Sequence, residues 1–496
     1  MLKRLINIFT PNYVELKNRT VLLIFTVISI LIRLPFFFRD YIDRDESTFI
    51  LMGQSWVDGH LPYTELWDLK PPITFLFFAG IIYFFGKSFI AIRLFGTFLV
   101  AMTAFFSYKI GERLNTKKIG FWAGVLCVIL QSMFGSIQGV MSEHLCMVFF
   151  ISGIYLLIES KQSFQYLSAG LLMGLALMTK LNIAYAVLLV GLYILYDFFR
   201  YKVFLKGLWN FILYGAGIVC IILLTVLPYY FSGQIEVWWK SVVLASLEYA
   251  SARRHSLLSL APTFLILIGF FIFVWKRNYL NFKDRKVQIL LLAVLGVLFS
   301  FFKAGRINSH YLIQLYPVLV VLVAVVASRF AFFQKFDYRP YVLFLLLLLP
   351  MESYLEYVAI LKNKINKGTF YNGEGITVPY YLQANKLETK NVFFLEYHIG
   401  YWLLGATPPT VAATHPSNLC RYELFPYFEN PRKTAVEELR FIMEEIQPEI
   451  VITRKNRLIF DEKLEAENRY MNSYLEKNYT TLTDVDGAEI RARSKR

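Results

Sequence analysis

Twelve apolar runs divide this chain, at residues 20–38, 73–86, 93–110, 119–140, 145–158, 166–179, 182–199, 208–229, 261–275, 287–302, 311–330 and 340–358. A bilayer core about 30 Å thick takes roughly 17 to 25 apolar residues in a helix, and shorter runs are tolerated inside a bundle. The 496 residues are 56% hydrophobic and 17% aromatic, with a mean hydropathy of +0.48, which is more apolar surface than one water-soluble core can hide. Lipid is the solvent for most of the chain, and the expected class is an α-helical polytopic membrane protein.

The formal charge is +15. Its cations gather between the apolar runs, at Lys3/Arg4/Lys17/Arg19, Arg113/Lys117/Lys118, Arg200/Lys202/Lys206, Lys276/Arg277/Lys283/Arg285/Lys286 and within 334–339. Membrane proteins keep their cytoplasmic anchors in such places, so no nucleic-acid partner is expected. Cys127, Cys146 and Cys220 lie in apolar runs and Cys420 stands alone in the polar tail, which is neither a metal-ligand spacing nor a disulfide framework. The basic start MLKRLINIFTPNYVELKNR leads into a run long enough to span and lacks a small-residue cleavage site, so a retained first helix is expected.

All five basic clusters face the cytoplasm only if one element between 39 and 110 fails to cross, and the short 73–86 run is the expected half-span. Eleven crossings then place 39–92, the turn at Ser142 to His144, 230–260, 303–310 and everything after about 359 on the outer face. With 73–86 spanning, the count is twelve and the tail turns cytoplasmic. Residues 359–496 carry strand-length runs (NVFFLEY, PEIVIT) and the amphipathic KTAVEELRFIMEEI, the pattern of a small soluble α/β domain. The expected division is a membrane domain over 1–358 and an extracytoplasmic domain over 359–496, in which Asn418 reads as exposed.

Chemistry is expected where charge meets the membrane surface. The first outer loop, RDYIDRDESTFILMGQSWVDGHLPYTELWDLKPP, holds Asp40, Asp43, Asp45, Glu46, Asp58, Glu65 and Asp68, and ends in Lys70 before two prolines that fix the chain direction. Charges at helix ends can simply reach water, but these are interleaved with Trp56, Trp67 and Tyr63. Glu143 and His144 stand between two apolar runs, and Lys303, Arg306 and His310 sit in a second outer turn against the positive-inside rule. Cations there point to an anionic ligand such as a membrane-borne phosphate, and Arg253, Arg254 and His255 are further candidates. A carboxylate to take a proton from an acceptor hydroxyl or amine, with cations to stabilise a phosphate leaving group, suits transfer from a lipid-linked phosphosugar.

The loop DESTFILMGQSWVDGHLPYTELWDLKPP, followed by RLFGT, SEH and AGLLMGLALMTK, resembles the GT-C membrane glycosyltransferases, in particular the bacterial aminoarabinose lipid A transferases and the protein O-mannosyltransferases. The resemblance is good over about 20–200 and architectural elsewhere. It implies inverting transfer from a polyprenyl-phosphate sugar to a lipid, glycan or protein acceptor at the outer face of the inner (plasma) membrane. Asp45 is then the base with Glu46 and Asp43 beside it, and Lys70 contacts the donor phosphate. Asp68 lies two places before that lysine where the aminoarabinose enzymes have an acidic residue one place before it. Glu143 corresponds to the second acidic position, whereas His144 has no firm counterpart, and Arg306 and His310 match a basic, aromatic late loop. No cofactor is certain; some relatives use a divalent metal and others none, and Asp43, Asp45, Glu46 and Glu143 are the residues available for one. Two other classes compete. A transporter or lipid flippase needs paired half-helices with polar groups at the midplane, and a noncatalytic membrane scaffold needs only a binding tail.

Overall fold

The computed structural model describes residues 13, 15–40, 43–251, 261–304, 308–335, 340–428 and 430–494. Two compact units make up the chain, and neither is continuous: 1–34, 93–225 and 253–355 form the first, and 35–92, 226–252 and 356–496 the second. Among the described residues six helices are long and apolar enough to cross a membrane: Asn18–Phe38, Phe89–Leu114, Ser142–Glu159, Leu181–Arg200, Phe204–Phe231 and Arg285–Lys303. Shorter apolar helices cover Pro72–Phe85, Ser163–Leu177, Phe264–Lys276 and Tyr316–Ala327. The expected multi-pass helical class is therefore observed, together with a small carboxy-terminal sheet.

Small residues let the helices of the first unit approach closely. A Cβ on Gly170 would lie 2.0 Å from the Tyr214 carbonyl oxygen, so helix Ser163–Leu177 meets helix Phe204–Phe231 backbone to backbone. The run at 119–140 is α-helical only as far as Leu130, in helix Lys117–Leu130, with a single 3-10 turn at Gly135–Gln138. Arg33, 1% exposed, explains the early stop, because its guanidinium donates to the carbonyls of Gln131 (3.2 Å), Ile137 (2.8 Å), Gln138 (2.9 Å) and Gly139 (2.8 Å). Carbonyls satisfied from the side need no helical N–H. The run at 340–358 likewise breaks at Pro350 into helices Pro340–Leu347 and Met351–Lys367, so the expected 358/359 boundary falls inside a helix.

In the second unit, helix Arg44–Val57 packs on helix Pro72–Phe85, where Gly53 leaves room for Phe78. At 1.5 Å per residue the 14-residue Pro72–Phe85 helix is about 21 Å long, short of the hydrocarbon thickness. Pro72 starts it at a position whose missing N–H costs nothing. The sheet comprises β1 (Val392–Phe394), β2 (Ile450–Arg454), β3 (Tyr479–Val485) and β4 (Ala488–Arg493), in the order β1-β2-β4-β3. β1 and β2 run parallel with Val392 opposite Ile450, and the other pairs are antiparallel. β1 and β2 fall on the apolar stretches NVFFLEY and PEIVIT. KTAVEELRFIMEEI forms helix Ala435–Arg440 and a π-helical turn, burying Leu439, Ile442 and Met443. The β3–β4 hairpin turns through Asp486-Gly487, both at positive φ, as a two-residue loop requires.

The first loop pairs with the carboxy-terminal region inside this unit. Asp40 N–H donates to the Asn372 carbonyl (3.0 Å), Asn372 N–H to that of Phe38 (2.9 Å), and the Asp40 carboxylate accepts from Gly375 N–H at the start of helix Glu374–Ala384. Gly373 sits beside it at φ +113°, where a Cβ would meet Asp40 Oδ1 at 1.7 Å. Replacing Gly373 by Ala adds backbone strain of about 1–3 kcal/mol to that clash, and a lowered midpoint in thermal unfolding of the detergent-solubilised protein is the expected result.

Candidate active site

Candidate polar residues gather in both units. In the second unit, helix Arg44–Val57 begins where Asp43 accepts the Asp45 N–H through Oδ1 (2.9 Å), the N-cap use for which Asp is well suited. Capping turns the next carboxylate outward. The Lys70 ammonium lies 3.0 Å from Asp45 Oδ2, with the two side chains 18% and 27% exposed, and 5.3 Å from the centre of the Phe49 ring. Glu46, in the same turn, is buried.

Lys70 is held from behind. Its backbone N–H donates to Asp68 Oδ2 (3.2 Å) and its carbonyl accepts from the Tyr63 hydroxyl (2.6 Å). Burial, with Tyr229 and Asp68 nearby, keeps the Tyr63 phenol well above its ordinary pKa and hence a donor. Asp68 is 5% exposed, and its Oδ1 accepts from Thr414 Oγ1 and Asn418 Nδ2, both at 3.0 Å. Asn418 is therefore buried, at 2% exposure, in contrast to its polar sequence context, because it completes the shell of a buried carboxylate.

The remaining acids of the loop have other partners. Asp40 caps Gly375, Asp58 accepts from Gln54 (2.9 Å), and Glu65 accepts from Ser55 (2.7 Å) with His60 at 3.7 Å. Arg44, next to Asp45, pairs with Glu396, which has Arg454 at 3.7 Å on its other oxygen. Burial raises the Glu396 pKa, and the two arginines oppose that rise.

In the first unit, Glu143 and His144 open helix Ser142–Glu159 and both are fully buried. The Glu143 carboxylate forms an ion pair with Lys180, accepts from Ser142 Oγ (3.0 Å) and has His310 Nε2 at 3.8 Å. The Lys180 ammonium lies 4.8 Å from the centre of the Tyr311 ring. Asn182 and Gln314 exchange two amide hydrogen bonds (2.9 and 2.8 Å), tying the segments of Lys180 and His310 together. His144 has a different task. Its Nδ1 accepts from Met141 N–H (3.2 Å) and its Nε2 reaches the Gln131 carbonyl (3.3 Å), so both ring nitrogens serve the local backbone.

The structure thus brings Asp43, Asp45, Asp68 and Lys70 together, and separately Glu143, His144 and His310. Arg306, Arg253, Arg254 and His255 lie outside the described residues. Among the described residues no three of His, Cys, Asp and Glu converge as a group able to hold a metal ion. Sequence reasoning passed over Lys180, although a lysine closing the apolar run AGLLMGLALMTK is itself a signal. It also passed over Thr414 and took Asn418 for an exposed position, and no motif joins them to Asp68, some 350 residues earlier.

Residues 56–241 match the model of the dolichyl-phosphate-mannose-protein mannosyltransferase family. A comparison with curated protein sequences finds no match. The fold is similar to the crystal structure of ArnT from Cupriavidus metallidurans in the apo state, with a TM-score of 0.62 and 12% identity over 95% of this chain and 97% of that one. It is similar also to ArnT from Cupriavidus metallidurans bound to undecaprenyl phosphate, at a TM-score of 0.59 and 13% identity over 95% and 97%.

Breaking a buried ion pair by removing one partner costs about 3–5 kcal/mol, whereas removing both partners costs much less. Lys180→Met is therefore expected to lower the thermal midpoint more than the Glu143→Gln/Lys180→Met double variant does. A double variant at least as unstable as the single would show that the pair does not act as a unit.

Proposed function

We propose, from the premise of a GT-C membrane glycosyltransferase, that this protein moves a sugar from a polyprenyl-phosphate donor to an extracytoplasmic lipid, glycan or protein acceptor, with inversion at the anomeric carbon. The observation that carries the reading is the partly accessible Asp45–Lys70 pair, 3.0 Å apart. It lies inside a fold like that of ArnT, which has been crystallised with undecaprenyl phosphate.

Lys70 carries a partly accessible ammonium beside Asp45, a point charge suited to donor phosphate oxygens. In the reaction a lone pair of the acceptor forms the new bond to the anomeric carbon while the bond from that carbon to the phosphate oxygen breaks. The acceptor proton passes to the Asp45 carboxylate, and the charge left on the phosphate is stabilised by Lys70. Asp43 and Asp68 act at one remove: the first fixes the turn that presents Asp45, the second anchors the Lys70 backbone. Glu143, with Lys180 and His310, is assigned to substrate binding in the first unit, and His144 to holding the 131–141 segment.

Asp45→Asn keeps the volume of the side chain and removes the base. Turnover is expected to fall at least about 100-fold, read as the surface glycan restored to a deletion strain, with thermal stability near wild type. Lys70→Met is expected to weaken binding of undecaprenyl phosphate by about 1.5–3 kcal/mol, the range for a hydrogen bond to a charged group. Wild-type glycan with Asp45→Asn would remove the catalytic reading, and unchanged phosphate affinity with Lys70→Met would remove the donor role.

The reading also requires the first loop and the carboxy-terminal domain over 359–496 to face outward. A cysteine in place of exposed Glu462 is expected to react with an impermeant thiol reagent in intact cells, above the background of the parent protein. Reaction only after lysis would reverse the orientation.

A further inference from the structure

Asp45 and Lys70 lie on a closed ring of contacts that the carboxy-terminal region completes. From Asp45 the helix runs one turn to Thr48, on the same face. Thr48 Oγ1 meets Thr414 Oγ1 at 2.9 Å and His398 Nε2 at 3.1 Å. Thr414 Oγ1 donates to Asp68 Oδ1 (3.0 Å), the other oxygen of Asp68 accepts from Lys70 N–H (3.2 Å), and the Lys70 ammonium returns to Asp45 (3.0 Å). Thr48, Thr414, Asp68 and His398 are all buried.

A carboxylate only accepts, so the Thr414 proton points at Asp68, and the Thr414 oxygen and the Arg44 carbonyl (2.9 Å) are both within reach of the Thr48 hydroxyl. Thr414 is itself held in place, because the preceding segment pairs with Trp67: Trp67 N–H donates to the Val411 carbonyl (2.6 Å) and Ala413 N–H to that of Trp67 (3.0 Å). The hydroxyl of Thr414 thus joins the helix of the base to Asp68, which anchors the backbone of the lysine.

We infer that Thr414, acting through Thr48 and Asp68, is a positioning residue that sets the separation of Asp45 and Lys70, which makes the carboxy-terminal region a working part of the donor site. This rests on the glycosyltransferase reading of that pair. Misplacement by about 1 Å is enough to cost 100-fold in rate, so the link is worth more to turnover than to stability.

The test uses the full-length protein with Thr414→Val, which keeps the shape and removes the hydroxyl, and Thr414→Ser, which restores it. For Thr414→Val the expected result is a loss of about 10–100-fold in glycan restored to a deletion strain and a several-fold weaker affinity of the purified protein for undecaprenyl phosphate. Thr414→Ser recovers both. Thr48→Val removes the other end of the link and is expected to give the same losses, and the Thr48→Val/Thr414→Val pair no more than either single change. If Thr414→Val does not fold, Thr48→Val decides by the same readouts. Wild-type glycan and phosphate affinity in the valine variants, or losses that serine does not recover, would overturn the inference while Asp45→Asn remains inactive. An active Asp45→Asn would overturn the glycosyltransferase reading of the pair instead.

Discussion

In hydrocarbon a backbone N–H or C=O that lacks a partner has no water to turn to, and this demand governs the first unit. Helices meet it for most of the chain. Where a helix ends early, buried side chains meet it instead, and Arg33 is the clearest case, with one guanidinium collecting carbonyls from 131 to 139. His144 closes the same segment from the other side through Gln131 and Met141. The irregular stretch between helices Lys117–Leu130 and Ser142–Glu159 is therefore held by side chains where helical hydrogen bonds are missing. It delivers Glu143 to a fixed place opposite Lys180 and His310.

The second unit solves the opposite problem, an excess of carboxylates in one short loop. Most are occupied by donors of their own neighbourhood. Asp40 and Asp43 cap helix starts, where unpaired N–H groups and the helix dipole favour a negative charge. Asp68 takes hydrogen bonds from Thr414, Asn418 and the Lys70 backbone, and Glu65 from Ser55. Asp45 differs in pairing with a partly accessible ammonium at the start of a helix whose direction its neighbour has already set. The base proposed at Asp45 has to be stiffly held and yet reachable, and the capped turn suits both needs.

The glycosyltransferase chemistry proposed here needs little beyond such positioning. The phosphate is a competent leaving group once its charge is met, and the acceptor needs only a nearby base. A sequence that surrounds one lysine and one aspartate with buried Tyr63, Asp68 and Thr414 devotes its polar groups to orientation, which is what this kind of catalysis rewards.

Much was legible in the chain itself. Apolar runs of spanning length fix a helical membrane protein, because no other arrangement but a closed barrel satisfies a backbone in lipid. The crowd of acids before Lys70-Pro71-Pro72 marks the loop proposed to act, and the stretches NVFFLEY and PEIVIT mark two strands of the sheet, because charge density and short apolar runs are local properties. Which acid does what was not legible. Asp40, Asp43, Asp45 and Asp68 are the same residue type within one loop, and their roles separate only through Gly375, the Asp45 N–H, Lys70 and Thr414. Two of those partners come from more than 300 residues away. Composition and period decide the solvent and the elements, whereas a hydrogen bond depends on distances of about 3 Å that exist only after distant segments meet.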